Sequence, residues 1–189
     1  MINLRFALFL SISYAMIWAA CGARQRPAQS PQAILNQVHR FFPLAQGSAW
    51  SYDVQIGDGS STLAISRVTN IKGTSATVEV AGQIHHYELR DEGIWRVDRG
   101  VWLLRKPLKT GASWASVKNG RAQVIATGRL FKGQLGMHAN CIEIRESNAE
   151  QTTLSTYCPD VGLVQLTTNT LGVERGPAVV ARLRGYHIE

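Results

Sequence analysis

Pro43-Leu44-Ala45-Gln46-Gly47-Ser48-Ala49-Trp50 returns in the same chain as Pro107-Leu108-Lys109-Thr110-Gly111-Ala112-Ser113-Trp114. Proline, leucine, glycine and tryptophan recur at the same spacing. The 189 residues hold six prolines and five tryptophans, so chance is a poor account of the match. Further landmarks follow each copy in the same order. Residues 65–73 parallel 126–133, Asp91-Glu92-Gly93-Ile94-Trp95 parallels Asp160-Val161-Gly162-Leu163-Val164, and each copy then reaches an Arg-Gly pair (Arg99-Gly100, Arg175-Gly176). Landmarks repeated in order mark a duplicated unit, here 43–105 and 107–184. In each opening motif the glycine permits a tight turn, and the tryptophan anchors the strand that follows.

Each unit reads as short strands separated by turns. Trp50, Tyr52, Val54 and Ile56 alternate with Ser51, Asp53 and Gln55, the period-two pattern of a half-buried strand. Gly57-Asp58-Gly59 turns the chain into 62–69, and further strands are expected at 75–81, 83–90, 93–98 and 100–104. The second unit gives 112–118, 121–131, 137–146, 152–158, 162–168 and 178–187. Asn119-Gly120 between two such runs is a strong hairpin signal, since both turn positions need positive φ. One helix is expected over 31–42. Ser30 caps it, Pro31 takes the first turn, and Ile34, Leu35, Val38, Phe41 and Phe42 form an apolar stripe that would cover one end of the sheet. The fold class is therefore mainly β: an antiparallel sandwich or barrel built from a duplicated β unit, with one short N-terminal helix.

Residues 1–20 read as an export signal. Arg5 supplies the positive start, an apolar run follows, and Ala19-Ala20 are the small residues of a cleavage site. A membrane-spanning anchor needs roughly 20 apolar residues, and this run is shorter and broken by Ser11 and Ser13. Ala19-Ala20-Cys21-Gly22 resembles the lipobox of bacterial lipoproteins, with Trp18 where that motif carries leucine. The resemblance implies a lipidated Cys21 at the mature N-terminus and, with Gly22 next, sorting to the outer membrane. Ordinary cleavage to a soluble periplasmic protein is the alternative. Residues 21–32, polar and holding Pro27 and Pro31, form a flexible tether, and 33–189 form a single β-rich domain.

The repeated Pro-Leu-x-x-Gly-x-x-Trp motif resembles uncharacterised secreted bacterial lipoproteins. That resemblance implies a location and a β fold, and brings no activity and no functional residues.

Hydrophobic content of 45% and charged content of 17% fit a globular chain and exclude disorder. The net charge of +7 is local: residues 90–132 carry ten basic side chains against three acids. On an exported protein such a sector meets anionic lipid, anionic glycan or an acidic envelope partner, not nucleic acid. Within it Trp95, Arg96, Arg99, Trp102 and Arg105 are the candidate contact surface, because tryptophan and arginine together favour interfaces.

No catalytic constellation is present. Lys109-Thr110-Gly111 matches one penicillin-binding-protein motif, but no Ser-x-x-Lys accompanies it. His85 and His86 point to opposite faces of a strand and cannot share an ion. Neither a metal nor a cofactor is expected. Cys141 and Cys158 are expected to form a disulfide. If Ser147 faces Thr152 across a hairpin, antiparallel register sets the two cysteines opposite each other, on a solvent-side face with Glu143 and Arg145, while Ile142 and Tyr157 are buried. Two free thiols are the alternative. The reading is thus a non-catalytic envelope lipoprotein that binds a lipid, an anionic glycan or a partner protein. Its rivals are a cell-envelope hydrolase whose residues assemble only in the fold, and a structural or assembly subunit.

Overall fold

The computed structural model describes residues 37–172 and 177–189. The export signal, Cys21, the tether, the first half of the expected helix and Arg175-Gly176 lie outside them. Twelve strands run in chain order: β1 Ala49–Ile56, β2 Ser61–Lys72, β3 Ser75–Val80, β4 Gln83–Arg90, β5 Gly93–Arg96, β6 Val101–Arg105, β7 Ser113–Ala115, β8 Arg121–Gly133, β9 Gly136–Ser147, β10 Gln151–Cys158, β11 Gly162–Thr170 and β12 Val179–His187. They form one antiparallel sheet in the order β6-β5-β4-β3-β2-β1-β12-β11-β10-β9-β8-β7. It consists of two six-strand meanders whose first and last strands pair, Trp50 standing against Tyr186. The free edges, β6 and β7, are neighbours in sequence. There the indole N–H of Trp114 donates to the carbonyl of Trp102 at 3.0 Å, so the sheet is a nearly closed barrel.

The two opening motifs occupy equivalent places. Gly47 N–H donates to Val68 O at 3.0 Å and Val68 N–H to Ser48 O at 2.8 Å; Gly111 N–H donates to Val124 O at 2.8 Å and Val124 N–H to Ala112 O at 2.9 Å. Gly47 and Gly111 share the same backbone, φ +93° and +90°. Trp50 and Trp114 are 2% and 5% exposed, core residues as expected of strand-opening tryptophans. Each indole reaches a carbonyl of the other meander, Trp50 donating to Val161 O at 2.6 Å. Gly93 and Gly162 likewise open the fifth strand of each meander. These bonds make Val68 the counterpart of Val124, which moves the second landmark from the 126–133 that the sequence suggested. Beyond Val124, β8 carries three register irregularities and runs on further than β2 does beyond Val68. The second meander ends at His187.

Other boundaries move for local reasons. The expected strand 93–98 stops at Arg96, because Val97–Arg99 form a 3-10 turn closed by Gly100 at φ +62°. Strand 112–118 shrinks to β7. The turn into β8 places positive φ on Lys118 and Asn119, with Gly120 N–H bonded to Val117 O at 3.0 Å. Gly120 is needed for space instead: a Cβ there would stand 2.6 Å from Ser147 O.

Residues 37–39 are helical, and this segment covers one end of the barrel. Val38 is buried in the core. Phe42 stacks on Trp50 at 6.2 Å and tilts onto Tyr87 at 5.4 Å. The segment bridges both Asp-x-Gly turns: Asp160 N–H donates to Arg40 O at 2.7 Å and Arg40 pairs with the Asp160 carboxylate, while His39 faces the carbonyls of Arg90 and Gly93. Burial, the largest influence, holds the His39 imidazole below its ordinary value. Lys106 pushes the same way, and those carbonyls with Asp91 oppose them only in part. The unfolded chain therefore binds a proton at His39 more readily than the folded one. The stability tied to neutral His39 is complete above about pH 6.5 and is lost as pH falls below it. Thermal melts between pH 7.5 and 5 should show this decline, and His39→Phe should flatten it; parallel curves would reject a buried neutral imidazole.

Cys141 and Cys158 are disulfide-bonded, with Cα atoms 4.1 Å apart. The register is the one read from sequence, Ser147 facing Thr152 and Ile142 facing Tyr157. One expectation fails: both cysteines are fully buried, not on a solvent face. Residues 37, 40 and 41 stand beside Asn140 and Pro159, which flank the pair, and Asn140 at φ +59° breaks the alternation of β9.

Candidate functional site

Strand alternation sorts the basic aromatic sector by face. Ile94 and Leu104 are wholly buried and pair across β5 and β6, so their side of the sheet is the core. Trp95 therefore points outward. Trp102 would point inward, two residues before Leu104, were it not for a register shift that leaves Leu103 unpaired and sets Trp102 directly against Trp95. The indoles meet edge to face, centroids 5.1 Å apart and planes at 77°, a favoured arrangement of two π quadrupoles.

Arginines flank this pair. Arg90, the last residue of β4, places its guanidinium 4.7 Å from the Trp95 ring and 5.7 Å from that of Trp102. Arg105 lies 5.5 Å from Trp102. Such cation–π contacts are each worth about 0.5–1 kcal/mol at exposed sites and hold the guanidinium in one orientation. Arg90 is further fixed by Glu88, whose Oε2 accepts from Nε and Nη2 at 2.8 and 2.5 Å. Arg105 makes no ion pair among the described residues. Arg90 was absent from the sequence-derived set, although it belongs to the same charged run.

Two expected members do not join this face. Arg96 neighbours Trp95 and so turns inward, opposite Tyr87. It lies beside Asp98 (Nε to Oδ1 3.6 Å) and His85 (Nη2 to Nδ1 3.4 Å). Arg99 is exposed on the 3-10 turn, off the β4–β6 ladder.

The inward cluster holds the more buried of the two histidine–carboxylate contacts among the described residues: His85 Nδ1 stands 3.0 Å from Asp98 Oδ2, with side chains 14% and 26% exposed. Burial raises the Asp98 carboxyl, but the His85 hydrogen bond and the charges of Arg96 and His85 outweigh it and leave it below its ordinary value. Among the described residues, no serine, threonine or cysteine hydrogen-bonds to His85. His86 is exposed on the other face, as expected. No group of three or more histidine, cysteine or acidic side chains among the described residues is placed to hold a metal ion, and no described helix is long and apolar enough to cross a membrane. Lys109-Thr110-Gly111 serves the turn that opens the second meander.

No protein-family model and no curated protein matches the chain. Among solved structures it is similar in fold to a Bacteroides fragilis protein named as an exported protein with a YmcC-like fold, at 11% identity and a TM-score of 0.51, covering 78% of this chain and 98% of that one. A Parabacteroides distasonis protein named as a lipoprotein aligns over the same shares at 13% identity and a TM-score of 0.46. At such identity the likeness is one of fold.

Proposed function

We propose that the chain is a non-catalytic, lipid-anchored envelope protein that binds an anionic glycan through the outer face of β4–β6. The observation that carries this reading is the edge-to-face Trp95–Trp102 pair beneath two guanidiniums, of which Arg105 has no carboxylate partner among the described residues. The two indole planes stand at 77° and form an aromatic notch in which a sugar ring can rest its apolar face on one indole, while a pre-oriented guanidinium donates paired hydrogen bonds to a carboxylate or phosphate. A chain of rings with repeating acids offers both features together. A lipid surface fits less well, because these indoles are half-buried in the sheet and are not free to insert. The anchor rests on the signal-like residues 1–20 and on Cys21, and the name of the Bacteroides fragilis protein of similar fold, an exported protein, is in keeping with export.

Titration with polygalacturonate tests the binding face. Arg105→Ala should weaken binding roughly tenfold, Arg67→Ala on β2 should leave it unchanged, and added salt should weaken it. Equal binding by Arg105→Ala and the unaltered chain would remove the proposed face, and retention of a protein or of phosphatidylglycerol vesicles in place of the polymer would replace the ligand. Clickable palmitate should label the expressed chain and not its Cys21→Ser variant; equal labelling of both would remove the anchor.

A further inference from the structure

A second feature of the molecule lies away from the tryptophan pair. Beside the helical segment that covers the barrel, a cleft of about 530 Å³ opens between that segment, the β6–β7 connection, and the middle of β8 and β9. Its size is that of a small-molecule site, about 300–1,000 Å³. Phe41 and Leu108 give it an apolar wall above the nearly buried Val38 and Ile142, and Lys106 and Lys109 stand on its lining with no carboxylate among the lining residues. Neither lysine makes an ion pair with a described residue. An apolar cleft of this size with two ammonium groups that pair with no described carboxylate suits an amphiphile with a single acyl chain and an anionic head. The loop carrying both lysines belongs to the repeated motif, but the equivalent turn of the first meander reads Phe42-Pro43-Leu44-Ala45. Neither charge is a constant of the repeated motif.

We infer that this cleft binds a single-chain anionic amphiphile, the acyl chain against Phe41 and Leu108 and the head group at Lys106 and Lys109. A fatty acid and a lysophospholipid share that chemistry. The experiment uses the exported chain carrying Cys21→Ser, purified without detergent, and titrates it with palmitate, lysophosphatidylglycerol and uncharged monopalmitin under native mass spectrometry and tryptophan fluorescence. One-to-one binding of palmitate or lysophosphatidylglycerol is expected, and the tighter of the two identifies the head group. Monopalmitin should bind roughly tenfold more weakly than the tighter probe. Lys106→Gln with Lys109→Gln should erase that difference. Thr127→Trp, at an exposed lining position, should block all three probes without moving the unfolding midpoint. Absence of one-to-one binding, or binding untouched by Thr127→Trp, would overturn the inference. So would binding seen only after residues 21–36 are deleted, which would assign the cleft to the chain's own preceding segment.

Discussion

Replacing Gly93 with alanine should destabilise the folded chain by about 4 kcal/mol or more, among the larger effects a single methyl group can have. Gly93 opens β5 at φ +152°, and a Cβ built there would lie 2.0 Å from the carbonyl oxygen of Leu104 and 3.0 Å from Arg105 Cα. Both obstacles are backbone, so relief requires β5 and β6 to part. That separation would open the pair of wholly buried residues Ile94 and Leu104 and loosen the ladder that sets Trp95 against Trp102. Gly162, its counterpart in the second meander, provides a graded comparison. It holds φ +99°, but a Cβ there would meet the Trp50 indole nitrogen at 3.3 Å and Pro43 Cδ at 3.5 Å, contacts relieved by a shift of a few tenths of an ångström and not by parting two strands. Gly162→Ala should cost roughly 2 kcal/mol, most of it backbone strain. Urea unfolding followed by tryptophan fluorescence measures both variants. A Gly93→Ala midpoint at or above that of Gly162→Ala would show that β5 is not pressed against β6.

The second large effect is expected at the disulfide. Joining residues 17 apart in sequence restricts the unfolded chain by about 3 kcal/mol in the chain-entropy account. Cys141→Ala with Cys158→Ala should lower stability by that amount, and somewhat more because two buried sulfur atoms leave space in the core. Reduction of the unaltered chain should bring its midpoint close to that of the double variant. Thiol titration of the denatured, unreduced Cys21→Ser chain should find no free thiol. Two free thiols would rule out the bond, and an unchanged midpoint in the double variant would rule out its stabilising role.

Much of the fold is written locally. The alternation of β1, the spacing of turn residues and the repeated opening motif are short-range signals, and each reports a constraint acting on a few neighbouring residues. The register of β9 with β10 follows from one facing pair, Ser147 and Thr152, because antiparallel pairing then fixes every other. The features not legible in this way depend on tertiary packing. The shift at Leu103 that turns Trp102 outward leaves no composition signature, since Val101, Leu103 and Leu104 are all apolar. The burial of the cysteines depends on a covering segment more than a hundred residues earlier in the chain. Arg96 is a different case. The period-two rule that separates His85 from His86 also separates Trp95 from Arg96, so its inward position was legible; nearness in sequence had been taken for nearness in space. Asn119-Gly120 marked the correct turn one residue late, because glycine's lack of a side chain serves close approach to Ser147 there, not positive φ.

The order of the sheet has a consequence for how the molecule acquires its shape. Every strand pairing but one joins sequence neighbours, so each of those hairpins can close as soon as its second strand is available, over short loops with little entropy to lose. The exception is β1 with β12, which brings residues 49–56 against 179–187. A chain that leaves the ribosome from its N-terminus presents Trp50 early and Tyr186 almost last. Until then β1 is an unpaired edge beside a half-made barrel, a template for strands of other chains. The seam that completes the fold thus sets a period of vulnerability as long as the chain's emergence, and the last strand to arrive is the one that ends it.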